Sequence, residues 1–184
     1  MNEAIKIFLD QVEKVLNGST FFVVIDHNLS GIKEEELIRT VIHSREFDLK
    51  LLEADLFQQD GDFFHELDKS GKLIPKRYTF PKTDSLMRNL DFQGAYEYLV
   101  SMLTANTKNT FWSPYHKELD RPKAQEIVNS FLDELGNSKA LRFYQLEPSF
   151  IFQSLDFWKN LGSDSITAIL SNHRLFFLFT NGTD

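Results

Sequence analysis

Residues 166–180 read Ile-Thr-Ala-Ile-Leu-Ser-Asn-His-Arg-Leu-Phe-Phe-Leu-Phe-Thr. Two apolar runs rich in β-branched and aromatic residues, Ile166–Leu170 and Leu175–Thr180, flank Ser171, Asn172, His173 and Arg174. That connection is short enough for an antiparallel hairpin. The second run contains Phe176-Phe177-Leu178-Phe179 and has no polar side. Apolar character on both sides indicates a central strand or one covered by helices; at an edge such a strand would be an aggregation hazard unless a partner covered it.

The rest of the chain supplies the covering layers. Ile5, Phe8, Leu9, Val12 and Leu16 recur at helical spacing and stop at Asn17-Gly18. Phe21–Ile25 reads as a buried strand ending near Asp26, and Asn28–Gly31 as a turn. Glu34, Glu35 and Glu36 open a second helix, where carboxylates favour the dipole, with Leu37, Ile38, Val41 and Ile42 as its buried stripe. Phe47, Leu49 and Leu51 alternate with charged residues and suggest a strand, with a helix as the alternative. Asp62 is read as the cap of a short helix through Leu67, halted by Gly71. Further helices are expected around Phe92–Leu103, from Asp120 to Gly136 and around Ile151–Trp158, with a strand at Leu141–Leu146. No linker or repeat divides the chain, so the reading is a single α+β domain over residues 1–184, its mixed β-sheet flanked by about six helices and closed by the C-terminal antiparallel hairpin.

Composition narrows the chemistry. At 184 residues the chain can bury about 70% of its unfolded surface and needs no staples. With no cysteine, disulfides, thiolate metal sites and a cysteine nucleophile are excluded. The N-terminus lacks a signal-peptide pattern, no apolar run reaches a membrane span, and mean hydropathy is −0.30, so a cytoplasmic location without membrane contact is expected. Charge is unevenly distributed. Residues 1–70 hold fifteen Asp/Glu against seven Lys/Arg, a balance of −8, whereas residues 71–184 hold twelve against thirteen, or +1. Such a field repels nucleic-acid phosphates and attracts basic partners. The one locally basic stretch, around Lys72, Lys76, Arg77, Lys82 and Arg88, reads as a solvated loop.

Three constellations deserve a chemical test. Asp26-His27 follows the first strand, yet neighbours on extended backbone point to opposite sides and do not easily share a ligand. Asp60, Asp62, His65 and Glu66 are the densest set of ligand types, but they match neither the calcium-loop pattern nor His-Glu-x-x-His. Phe111-Trp112-Ser113-Pro114-Tyr115-His116 places three aromatics on a proline-stiffened connection, where Trp112 and Tyr115 would make binding anchors at low entropic cost. There is no serine elbow and no glycine-rich phosphate loop.

The functional expectation is an acidic cytoplasmic protein-binding module that docks a basic protein through Glu34, Glu35, Glu36, Asp60 and Asp62, anchored by Trp112 and Tyr115. An immunity-type inhibitor of a basic toxin or nuclease is its concrete form. No cofactor, metal or nucleic acid is expected. The competing reading is a metal-assisted hydrolase using Asp26, His27, Asp62 and His65.

Overall fold

The C-terminal hairpin organises a five-stranded sheet. The computed structural model describes residues 2–16, 18–27, 31–47, 49–50, 65–75, 87–104, 118–146 and 165–182. Strands β1 (Gly18–Asp26), β4 (Met87–Leu90), β5 (Arg142–Leu146), β6 (Ser165–Leu170) and β7 (Arg174–Gly182) lie in the order β1-β7-β6-β5-β4. Strands β2 (His65–Leu67) and β3 (Leu73–Pro75) form a separate small hairpin. Among the described residues every strand pairing is antiparallel, where a mixed sheet was expected. The α+β class stands.

Helices cover both faces, as the two-sided apolar character of β7 requires. On one face Phe22, Val24, Phe143, Ile169, Phe176 and Leu178 meet three helices. These are α1 (Glu3–Leu16), α3 (Phe92–Leu103) and α4 (Arg121–Leu135). Phe131 on α4 is fully buried and stacks on Phe8 of α1 at 4.2 Å. On the other face Phe21, Val23, Ile25, Ile166, Phe177 and Phe179 pack against α2 (Glu34–Ile42) and Phe47. The period-2 register alternates residues between these two cores, so β7 sends Phe176 and Leu178 one way and Phe177 and Phe179 the other.

Helix ends follow sequence signals. Asp91 caps α3 by accepting from the backbone N–H of Gly94, and Asp120 caps α4 by accepting from Lys123, with Pro122 in the first turn. Gly136 ends α4 at φ 137°, backbone that side chains with a Cβ rarely adopt.

Two local readings are settled by the structure. Residues 45–47 and 49–50 take the helical alternative and not the strand, which brings the α-helices among the described residues to five. Phe47 is fully buried while Leu49 is 44% exposed. Residues two apart on a helix point nearly opposite ways, so the sequence alternation carried no shared face. His65–Leu67 is a strand instead of the end of a helix. Asp68 accepts from the backbone N–H groups of Ser70 and Lys72 and from the Ser70 hydroxyl, and Gly71 supplies φ 79°, so the stretch builds a hairpin turn. Gly71 was a stop signal for the wrong element. The expected helix around Ile151–Trp158 lies outside the described residues.

Candidate functional site

The start of α2 gathers charged residues around one surface hollow. Lys33 occupies the cap position in extended backbone and makes no side-chain cap bond. Glu34, Glu35 and Glu36 follow at once, all exposed, with their charge against the partly positive helix end. The opposite stripe of the helix, Leu37, Ile38, Val41 and Ile42, is buried on the sheet. Burial of that stripe thus fixes the three carboxylates at the mouth of an open hollow of about 570 Å3. Its wall is completed by Lys33, Arg39 and Tyr144.

Tyr144 ties this hollow to the sheet. It sits on β5, 4% exposed, and its hydroxyl donates to Glu34 Oε2 at 2.6 Å. The Tyr144 hydroxyl oxygen in turn accepts from Asn89 Nδ2 at 3.4 Å, across the β4–β5 register in which Asn89 faces Tyr144. Burial of the phenol and the adjoining Glu34 carboxylate push its pKa up to about 12, because both penalise a phenolate. The group therefore stays a neutral donor and holds Glu34 in place. Tyr144 went unmarked in the sequence because only the packing of α2 on the sheet brings it beside a residue 110 positions away.

A second open hollow, about 470 Å3, lies at the β4 end of the sheet, where Phe92 is 41% exposed beside Lys139 and Arg142. Arg142 Nη1 donates there to the backbone carbonyls of Lys139 and Leu141.

Of the predicted partner-binding residues, Glu34, Glu35 and Glu36 come together as described, whereas Asp60, Asp62, Trp112 and Tyr115 lie outside the described residues. For the hydrolase set, Asp26 Oδ1 accepts from Arg174 Nε at 3.0 Å across the β1–β7 pair. Both side chains are mostly exposed, so the bond orients Asp26 more than it stabilises the fold. Both ring nitrogens of His27 are buried and have no hydrogen-bond partner among the described residues. His65 lies in the separate β2–β3 hairpin, and Asp62 lies outside the described residues. Among the described residues, no group of three or more His, Asp and Glu is placed to hold a metal ion. No protein family, characterised protein or solved structure matches this chain, so its function is argued from its own geometry.

Proposed function

We propose that this chain is an acidic protein-binding module that docks a basic protein partner at the start of α2. The observation that carries the reading is the hollow itself: three exposed carboxylates on a packed helix, with one of them held by a buried tyrosine. A rigid negative rim suits lysine and arginine side chains, since its charges need little ordering when a partner arrives. The −8 balance of residues 1–70 extends the same field outward. Asp60 and Asp62 belong to that field in this proposal, and Trp112 and Tyr115 supply the apolar anchors. An immunity-type inhibitor of a basic toxin or nuclease, acting in the cytoplasm, fits these terms. Among the described residues no helix is long and apolar enough to cross a membrane. The competing hydrolase needs Asp26, His27, Asp62 and His65 around one concave site, and the engagement of Asp26 by Arg174 weighs against it.

The test is affinity capture from the native cell extract with the wild-type chain and with a Glu35→Lys, Glu36→Lys variant, read by mass spectrometry. The wild type should retain a basic protein that the folded variant loses. Equal capture by both would remove the start of α2 from the interface.

A further inference from the structure

Among the described residues, β7 alone pairs with β1, which leaves the outer edge of β1 without a described strand beside it. The backbone N–H of His27 donates to the carbonyl of His173 at 2.9 Å, continuing the β1–β7 register inward. In an antiparallel pair, inward and outward backbone groups alternate, so the even-numbered residues of β1 direct their N–H and C=O groups away from β7. Thr20 agrees, since its N–H turns outward to Glu13 Oε1 at 2.8 Å. Beyond that contact, Phe22 and Val24 hold outward-facing N–H and C=O groups, and no described strand pairs with them. The stretch Thr20-Phe21-Phe22-Val23-Val24-Ile25 contains no charge, proline or bulge, which are the devices that usually blunt an edge.

We propose that this edge pairs antiparallel with β1 of a second copy about a two-fold axis near Val23, joining the two five-stranded sheets into one. The strand is complementary to itself in that register. Phe22 N–H and C=O meet Val24 of the second copy, and Val24 meets Phe22 of the second copy, giving four backbone bonds. Phe21, Val23 and Ile25 meet the same apolar set on one face, and Phe22 meets Val24 on the other. Asp26 faces Thr20 of the second copy and not another Asp26, so no like charges oppose within the ladder despite −7 on each chain. Glu13, seated on Thr20, limits pairing to the open part of the strand. The far edge of the sheet favours this arrangement over an open-ended fibre, because β4 has only four residues and exposes Arg88 and Asn89.

Sedimentation velocity from micromolar to near-millimolar concentration tests the pairing, with two variants. Val24→Pro removes only an outward N–H, so the ladder to β7 is kept, and circular dichroism checks the fold. It deletes two of the four bonds by symmetry and should weaken the dimer about 30-fold. Independently, a single Asp26→Cys in this cysteine-free chain, carrying a nitroxide, should report a distance of roughly 20 Å between copies, as six strand residues span. A species of 21.5 kDa at every concentration would overturn the proposal, as would a dimer that lacks the spin–spin distance or ignores Val24→Pro in folded protein.

Discussion

Tyr144 shows how one side chain links the fold to the proposed site. Its pKa is raised to about 12 from the ordinary 10.0, first by burial and then by Glu34. The sign follows from the neutral form being favoured in the folded state. The stability this supplies is fully present below pH 10 and is lost as pH rises through about 12. Ultraviolet difference titration should therefore resolve one late tyrosine, and chemical stability should fall across that window. Glu34→Gln should bring the late step down without abolishing it, because burial is the larger cause. A tyrosine that titrates at the ordinary value in the folded wild type would remove the contact. Thr167 presents the opposite case. It is 1% exposed, and its hydroxyl has no hydrogen-bond partner among the described residues. An orphaned buried hydroxyl costs roughly 1–3 kcal/mol. Thr167→Val keeps the branched shape and should raise unfolding free energy by about 1 kcal/mol in urea titration. Destabilisation would mean that the hydroxyl has a partner in solution.

At the scale of elements, α4 was the most legible. Asp120, Pro122 and Gly136 bound a stripe of Ala124, Ile127, Val128, Phe131, Leu132 and Leu135, and all six stripe residues are buried. Phe131→Ala should cost about 3–5 kcal/mol by urea denaturation, since it empties a ring-sized space beside Phe8 and Phe22. A loss below about 1 kcal/mol would place that stripe outside the main core. The segments around Phe47 and His65 are ambiguous in sequence for one shared reason. Each is short, so a few apolar residues fit either period, and neighbouring structure decided between them. Asp68 draws its three acceptor contacts into the β2–β3 turn, and these hold its carboxyl below the ordinary 3.8, led by the Ser70 hydroxyl. No helical count of residues 62–67 could reveal that turn.

For the whole molecule, the proposed partner and the edge of β1 make separate demands. Steering depends on the net field, so association with a basic partner should slow as salt shortens the Debye length to about 8 Å and below. Glu35→Lys should lower the association rate and leave dissociation nearly unchanged, as rim charges do. Surface plasmon resonance at two ionic strengths reads both rates for the captured partner. Salt-independent association would argue against docking through the acidic rim. Pairing at β1 rests instead on backbone bonds and apolar contact, and should respond little to the same change of salt.

The sequence by itself determined the α+β class, α1, α2, α3 and α4, the C-terminal hairpin and the need to cover β7 on both faces. These features follow from local periodicity, capping residues and glycine stops, all of which act within a few residues along the chain. It also placed Glu34, Glu35 and Glu36 at a helix start. Only the tertiary structure decided that every described strand pair is antiparallel, that β1 lies at an edge of the described sheet, and that the Tyr144 hydroxyl bonds both Glu34 and Asn89. Strand order and register are set by contacts between residues far apart in the chain, and apolar pattern alone leaves many such pairings equally favourable.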